Sequence, residues 1–237
     1  MKKNNSMRPL TVQRHFIKHN PGSVLISFGD TKVICSATIE NSVPRFLRDS
    51  GKGWLTSEYS LLPSSTFPRA QREAQRGKVT GRTTEIQRLI GRSLRAVIDF
   101  DLLGERTIYI DADVIQADGG TRTASITGGM IALWDCVQHL MKSGDLKKNP
   151  IKEFLSAVSV GLVNGDVICD LCYEEDSNAD VDMNIVMTES GRFVEIQGTA
   201  EKDPFSEEQF AEMLASAKGA ISSTIQTIKS DILSIEN

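Results

Sequence analysis

The chain has 237 residues, of which 40% are hydrophobic and 24% charged, a composition typical of soluble globular proteins. Its four cysteines and three histidines are too few and too scattered for a disulfide framework or a zinc site. No apolar run approaches the roughly 18 residues that a membrane-spanning helix needs, and no signal peptide is recognisable. We therefore expect a cytoplasmic protein that has no membrane partner.

Basic residues are concentrated in one stretch of this otherwise acidic chain. The formal net charge is −4 at pH 7, yet residues 69–95 contain eight basic and two acidic side chains, a net charge of +6 that leaves −10 for the rest. Such segregation lets an acidic protein bind a polyanion locally. Three of the arginines, Arg88, Arg92 and Arg95, fall on one side of a predicted helix, where the alternative interpretation is a solvated surface.

The first half of the chain is predicted to contain a hairpin, an irregular stretch and a helix. The hairpin joins residues 23–28 to 31–37 across Gly29-Asp30. Residues 44–81 are rich in glycine and proline and are predicted to be irregular, and a connection of that length is typically functional. A helix is predicted from residue 83 or 84 to about residue 100.

The second half is predicted to contain two further hairpins and a long last helix. The hairpins join 157–163 to 166–171 and 183–187 to 193–196. The last helix begins with the capping box Ser206-Glu207-Glu208-Gln209 and continues towards Ile232. This interleaving predicts an α+β fold, a single domain over residues 1–237 with a mixed β-sheet whose hairpins are packed by helices.

A glycine-rich turn, Asp118-Gly119-Gly120-Thr121-Arg122-Thr123, links a strand predicted over 107–115 to a helix predicted from the apolar spacing over 126–140. Glycine lets backbone N–H groups approach a ligand closely, and the start of a helix carries unpaired N–H donors and a positive dipole end. With the guanidinium of Arg122 and neighbouring hydroxyls, the turn is suited to bind phosphate. The alternative is a tight turn whose polar residues only cap the helix.

Five carboxylates lie within nine residues between two predicted strands and have no basic neighbour (Glu174, Glu175, Asp176, Asp180 and Asp182). Like charges repel, so we expect either a solvated acidic loop or a cluster around a cation. The apolar residues that follow Asp182 place it at the mouth of a buried strand, which favours the cation. A phosphate site, an arginine-rich stretch and a carboxylate cluster together indicate phosphoryl transfer on a nucleic acid. No Ser–His or Cys–His pattern offers a nucleophile, so the attacking group should come from the substrates.

Several segments of the chain carry a resemblance to a known family. They are Gly51-Lys52-Gly53-Trp54, Gly81-Arg82-Thr83 with 85–90, residues 116–125, Asp182-Met183-Asn184 and Gln197-Gly198-Thr199. Through these segments the chain closely resembles the ribonuclease PH family of phosphate-dependent 3′→5′ exoribonucleases, over nearly its whole length from Arg8-Pro9. One departure is Ser64, where the family commonly has an arginine.

The resemblance implies a role for each group of candidate residues. Arg82, Gly120, Thr121 and Arg122 are expected to bind inorganic phosphate. Asp176 and Asp182 are expected to be the catalytic carboxylates and to bind Mg²⁺ or Mn²⁺. RNA contact is expected from Arg69, Arg72 and Arg76. The implied partners are RNA, inorganic phosphate and further copies of the chain, in a hexamer built as a trimer of dimers.

The function that the resemblance implies is removal of nucleotides from the 3′ ends of tRNA precursors and other RNA. Phosphate is the expected nucleophile, nucleoside 5′-diphosphates are the products, and the step should reverse as nucleotidyl addition. Asp182 could either bind the metal or protonate the leaving 3′-oxygen, and the sequence does not separate these roles. One alternative is a catalytically silent RNA-binding ring subunit. Another is a hydrolytic nuclease with the same carboxylates, which would not need a phosphate site.

Overall fold

Two β-sheets form the framework of the protein. The computed structural model describes residues 6–235, with every side chain except those of residue 76 and residues 233–235. The first sheet contains β1 (Leu10–Arg14), β2 (Gly22–Phe28), β3 (Thr31–Glu40), β4 (Trp54–Leu61) and β5 (Thr107–Gln116), in the order β1-β2-β3-β5-β4. The second contains β6 (Leu155–Val163), β7 (Asp166–Cys169), β8 (Val181–Thr188) and β9 (Phe193–Ala200), in the order β7-β6-β8-β9. Among the strand pairs of residues 6–235, only β4–β5 is parallel.

The helices pack between and beside these sheets. They are α1 (Glu73–Arg76), α2 (Gly81–Ala96), α3 (Phe100–Leu103), α4 (Thr121–Ser143), α5 (Tyr173–Asn178) and α6 (Glu207–Ile235), with short 3₁₀ turns at Arg45–Leu47 and Pro63–Ser65. Strands and helices thus form the predicted α+β fold, and the three predicted hairpins are confirmed as β2–β3, β6–β7 and β8–β9. None of the described helices is long and apolar enough to cross a bilayer.

Helix α4 is the centre of the core, because it packs against both β2–β3 and β6. Most of its residues are buried, so it is covered on nearly every side rather than along one stripe. Glycines let the sheet approach it closely: a Cβ at Gly128 would lie 2.7 Å from the Cys35 Sγ atom and 2.8 Å from a methyl group of Ile26. The start of α4 is thereby fixed between the two sheets, which is where the functional residues meet.

The prediction that residues 44–81 are irregular is wrong at its centre, where β4 forms an edge strand of the first sheet. Its inward positions include a polar residue, Ser57, between the buried Leu55 and Tyr59. Ser57 is compatible with this position because its hydroxyl donates a 2.6 Å hydrogen bond to the Gln87 carbonyl of α2. That polar residue interrupts the apolar alternation on which the sequence prediction relied.

The helix predicted from residue 83 or 84 to about 100 is α2, which begins two residues earlier and ends at Ala96. The hydroxyl of Thr80 caps it by accepting the Thr83 N–H. Beyond Ala96 the backbone no longer follows the hydrogen bonding of the helix, because the Val97 carbonyl accepts the Lys152 N–H at 2.8 Å. Periodicity alone could not show this end, since Val97 and Ile98 stay buried after leaving the helix.

The acidic stretch is not a plain loop, because its first part is the short helix α5. Cys172 is its N-cap, and the Glu175 carboxylate accepts the Cys172 N–H at 2.9 Å. Acidic residues in the first turn favour such a helix through its dipole. The capping box predicted at the start of α6 is confirmed, since Ser206 and Gln209 exchange side-chain-to-backbone hydrogen bonds.

Candidate active site

A cleft of about 1080 Å³ opens at the start of α4, between the two sheets. Its walls are formed by the end of β4, the glycine-rich turn, α5 and the strands β8 and β9 of the second sheet. All six residues predicted for phosphate binding or catalysis line this one cleft: Arg82, Gly120, Thr121, Arg122, Asp176 and Asp182. These residues come from distant parts of the chain, so only the fold brings them together.

The glycine-rich turn is fixed from behind by Arg8. This arginine is buried, and its guanidinium is held by Asp170, with Nη2 2.7 Å from Oδ1 and Nε 2.9 Å from Oδ2. The same guanidinium donates to the Asp118 carbonyl. Thr31 adds a 2.6 Å hydrogen bond from its hydroxyl to the Gly119 carbonyl. The carbonyls thus point away from the cleft towards donors in the protein, which leaves the other side of the turn for a ligand.

Glycine is required in the turn for two reasons. Gly119 and Gly120 have positive φ angles, 72° and 62°, which other residues rarely adopt. A Cβ at Gly119 would also lie 2.3 Å from the Leu171 carbonyl oxygen. Gly120 is the N-cap of α4, and no described side chain caps the first turn of this helix. The N–H groups of that turn are therefore not capped by an N-cap side chain, and their use by an anion stays a prediction.

Arg122 is oriented by two neighbours in the cleft wall. Its Nη1 donates a 2.9 Å hydrogen bond to Gln197 Oε1 and lies 3.9 Å from Glu85 Oε1. Gln197 is itself held by Glu85, to which its Nε2 donates at 3.0 Å. The neighbouring hydroxyl groups of Tyr59 and Thr121 are hydrogen-bonded at 2.9 Å. The guanidinium is thus positioned before any ligand binds, which lowers the ordering cost of binding.

Arg82 is exposed near the start of α2 and completes the cationic side of the cleft. Burial raises the pKa of the Tyr59 phenol, while the positive charges of Arg82 and Arg122 act in the opposite direction. The phenol is therefore neutral at physiological pH and remains a hydrogen-bonding group. Two arginines and the start of α4 give this side of the cleft a positive potential.

Asp182 is the least satisfied polar residue of the cleft. Its Oδ1 atom is buried and has no hydrogen-bond partner among the described residues. Burial, and next the negative charge of Asp176, raise the Asp182 pKa to about 6, against the opposing effect of Arg122 and Arg82. Burial also raises the pKa of Asp176. A fold keeps such carboxylates at a stability cost, which is typical of a functional site.

A divalent cation is compatible with this pair of carboxylates. The unpartnered Asp182 oxygen beside Asp176 supplies hard oxygen ligands, the type that Mg²⁺ and Mn²⁺ prefer. Within the described part of the chain no group of three or more histidine, cysteine or acidic side chains could bind an ion. An ion here would therefore need ligands from water and from substrate phosphates, a coordination that suits Mg²⁺.

Two of the residues predicted to contact RNA, Arg69 and Arg72, do not line the cleft. Arg69 and Arg72 are exposed on the segment between β4 and α2, and the side chain of Arg76 lies outside the described residues. Among the helix arginines, Arg92 pairs with Glu195 at 2.8 Å, and the Arg95 guanidinium lies 5.1 Å from the Trp54 ring centroid. Arg92 and Arg95 thus contact other parts of the protein, and neither lines the cleft.

Sequence reasoning missed several residues that shape the cleft. Tyr59 was overlooked because its strand was predicted to be irregular. Gln197 lies in a segment that carries the family resemblance, yet only its contact with Arg122 reveals what it does. Arg8 and Asp170 are 162 residues apart, and neither shows a pattern that predicts their pairing.

Comparison with known proteins agrees with this architecture. The model of the 3′ exoribonuclease family, domain 1, matches residues 6–137, and that of domain 2 matches residues 153–220. Rrp46 from rice (Oryza sativa) has a similar fold, with a TM-score of 0.75, 17% identity and 97% of each chain covered.

Two archaeal structures are also similar. The Archaeoglobus fulgidus exosome with RNA bound to the active site gives a TM-score of 0.80 at 19% identity, covering 98% of this chain and 91% of the other. An archaeal exosome core gives 0.76 at 18% identity, covering 96% and 89%. At these identities the likeness shows the fold, whereas the two family models together match most of the sequence. The chain therefore belongs to the RNase PH-type 3′ exoribonuclease family.

Proposed function

We propose that this protein is a phosphate-dependent 3′→5′ exoribonuclease. The observation that carries the proposal is the meeting, in one cleft, of two arginines and the start of α4 with two carboxylates of raised pKa. A hydrolytic nuclease would use the carboxylates but would have no need for the phosphate site. A silent binding subunit would have no need to keep an unpartnered buried carboxylate oxygen.

The phosphate site positions the nucleophile. Arg82, Arg122 and the N–H groups at the start of α4 would bind inorganic phosphate by charge-assisted hydrogen bonds. Held there, a phosphate oxygen attacks the phosphorus of the last phosphodiester, and the bond from that phosphorus to the preceding 3′-oxygen breaks. The products are a nucleoside 5′-diphosphate and an RNA one nucleotide shorter. Orientation and electrostatic stabilisation supply most of the rate, since the protein itself forms no covalent bond.

The carboxylates act on the other side of the reacting phosphorus. Asp176 and Asp182 would hold a divalent cation that neutralises charge developing on the phosphate oxygens. The alternative role for Asp182 applies without a bound cation: with its pKa raised to about 6, the carboxyl would be partly protonated near neutral pH and would donate a proton to the leaving 3′-oxygen. A phosphodiester is exchanged for a pyrophosphate linkage, so little free energy is released and nucleoside diphosphates should drive the reverse addition.

The substrate class follows from the cleft and from the relatives. RNA is bound to the active site in the Archaeoglobus fulgidus exosome, whose fold this chain shares. We propose tRNA precursor 3′ ends and other RNA as the substrates. We also propose that the protein acts in the cytoplasm and assembles as a hexameric ring, built as a trimer of dimers. Arg69, Arg72 and Arg76 would lead the RNA backbone towards the cleft.

The test is to incubate a 3′-tailed RNA with Mg²⁺, with and without inorganic phosphate, and to identify the products. We expect nucleoside diphosphates that appear only with phosphate, and tail extension when diphosphates are supplied without phosphate. Monophosphates, or decay independent of phosphate, would indicate a hydrolase instead. RNA binding without any decay would indicate the silent ring subunit.

A further inference from the structure

Two exposed aromatic rings line the candidate active site, although phosphate chemistry has no use for them. Phe67 is 99% exposed, the highest value among the exposed large hydrophobic residues of the described chain, and Tyr173 is 64% exposed. Both line the cleft that contains the arginines and carboxylates. A phenylalanine left fully in water forgoes the free energy of burying its ring, so its place beside a ligand site suggests that a ligand covers it.

The loop that carries Phe67 is anchored at its base. The Ala70 N–H donates to the Pro63 carbonyl at 2.9 Å, and the Thr66 hydroxyl donates to the Pro68 carbonyl at 3.0 Å. A further 2.9 Å hydrogen bond runs from the Ala117 N–H to the Ser65 carbonyl. Since Ala117 directly precedes the glycine-rich turn, the loop is tied to the phosphate site itself. The exposed ring is therefore held at the rim of the cleft.

Tyr173 reaches the same cleft from the second half of the chain. It is the first residue of α5, and its N–H donates a 3.1 Å hydrogen bond to Asp118 Oδ1 beside the glycine-rich turn. It stands one helical turn before Asp176, so its ring lies on the approach to the proposed catalytic carboxylates. The two rings thus flank the site from different walls.

We propose that Phe67 and Tyr173 are stacking platforms for the unpaired bases next to the RNA 3′ end. A nucleobase is flat and largely apolar, so it can stack on an aromatic ring. It is also joined to phosphates, which the cationic side of the cleft attracts. A nucleic acid therefore accounts for both the aromatic and the cationic residues of the lining. Stacking on aromatic side chains tolerates every base, which suits an enzyme that removes whatever nucleotide is last. The bases must leave a duplex stack to bind, so the RNA here is single-stranded. This inference rests on the proposed function.

The experiment compares two RNA oligonucleotides that differ only in their bases. One is a normal single strand, and the other has the same backbone but lacks the bases of its last two nucleotides. Affinities are measured by fluorescence anisotropy without phosphate, so that no RNA is consumed. We expect the wild-type protein to prefer the normal strand by about five- to a hundredfold, the range known for stacking on aromatic side chains.

Phe67→Leu, which keeps an apolar side chain but removes the ring, should lose most of that preference. The abasic strand should bind wild type and variant alike, because its phosphate contacts are unchanged. Tyr173→Leu should behave in the same way. Phe46→Leu is the matched control, since Phe46 is 71% exposed yet does not line the cleft, and it should keep the full preference.

Two results would overturn the inference. The first is a wild-type protein that binds both strands equally. The second is a Phe67→Leu protein that keeps the preference; a smaller particle on sizing would then assign Phe67 to a contact between copies of the chain. The proposed function is judged separately, by diphosphate release: base preference without phosphorolysis would retain the stacking platforms and reject the nuclease.

Discussion

The Asp182 side chain lowers the stability of the fold, although it suits the proposed function. Its buried oxygen has no hydrogen-bond partner within the described structure, and its pKa is raised to about 6. An unpartnered buried oxygen destabilises a fold by about 1–3 kcal/mol, so a protein selected for stability alone would replace it. The Asp180 carboxylate two residues earlier contrasts with it, because it pairs with Lys202 at 2.7 Å.

Asp182→Asn should lower the rate of phosphorolysis by at least about a hundredfold, the usual scale for losing a positioned acid–base or electrostatic group. RNA affinity should stay level or rise, because a negative charge near the phosphodiester has been removed. Single-turnover phosphorolysis measured beside RNA binding gives both quantities. Asp180→Asn is the matched control and should change the rate little. A folded Asp182→Asn protein with a near-normal rate would end the proposed role.

The raised pKa of Asp182 also predicts how stability depends on pH in the metal-free protein. The folded-state pKa is about 6, whereas the ordinary value is 3.8, so the folded state holds its proton more tightly than the unfolded state. Stability from this group is full below about pH 4 and is lost as pH rises through 6. Asp182→Asn should therefore unfold like the wild type at pH 4 and be more stable above pH 7, by up to about 3 kcal/mol.

Urea titrations in EDTA across this pH range measure the difference. Equal stability of the two proteins at pH 8 would show that the ionised Asp182 carboxylate does not destabilise the folded state. Adding Mg²⁺ at pH 8 should raise the stability of the wild type more than that of the variant, if the carboxylate binds the ion.

Arg122→Ala should raise the phosphate concentration needed for half-maximal rate by about ten- to a hundredfold, since charge-assisted hydrogen bonds contribute about 1.5–3 kcal/mol. RNA affinity measured without phosphate should change little. Lysine would restore only part of the loss, because it lacks the planar fork of donors. Arg92→Ala is the control, as Arg92 pairs with Glu195 outside the cleft. An unchanged phosphate dependence in Arg122→Ala would remove Arg122 from the site.

At the scale of elements, the sequence predicts what local periodicity and turn chemistry determine. The alternation over 107–115 predicts β5, and Asn164-Gly165 predicts the turn between β6 and β7. The edge strand β4 escapes prediction because Ser57 hydrogen-bonds to a helix far along the chain. In the candidate site the glycine-rich turn is evident from sequence. The proximity of Arg122 to Asp182 is not evident from sequence, because it depends on how distant segments of the chain pack together.

Gly119→Ala tests the turn as an element. Its φ of 72° strains any other residue, and the new Cβ would lie 2.3 Å from the Leu171 carbonyl, so the backbone must move. Gly191→Ala is the control, since its φ is 82° but nothing lies within 4 Å of the new Cβ. Both variants should lose about 1 kcal/mol of stability from backbone strain.

Only Gly119→Ala should also weaken phosphate binding, by tenfold or more, because it alone displaces the N–H donors. Thermal shifts on titration with phosphate separate the two effects. Equal phosphate responses in both variants would show that the turn does not bind the anion.

At the scale of the whole molecule, the basic stretch of the sequence presents exposed arginines. Arg69 and Arg72 are exposed, two and five residues after Phe67, which lines the cleft. Replacing each by alanine should weaken RNA binding irrespective of sequence and lower the salt slope by about 0.7 for a single strand. Binding titrations at several salt concentrations measure that slope. An unchanged slope together with a smaller particle would instead place these arginines in a contact between subunits.

The ion pair between Arg8 and Asp170 can form only late in the synthesis of the protein. The arginine leaves the ribosome early, whereas the aspartate follows 162 residues later. A nascent chain that has released only its first half therefore lacks the partner that fixes Arg8 behind the phosphate turn. On the proposed function, a nuclease synthesised beside messenger and ribosomal RNA would stay inactive until its second half emerges, with no inhibitor needed to restrain it.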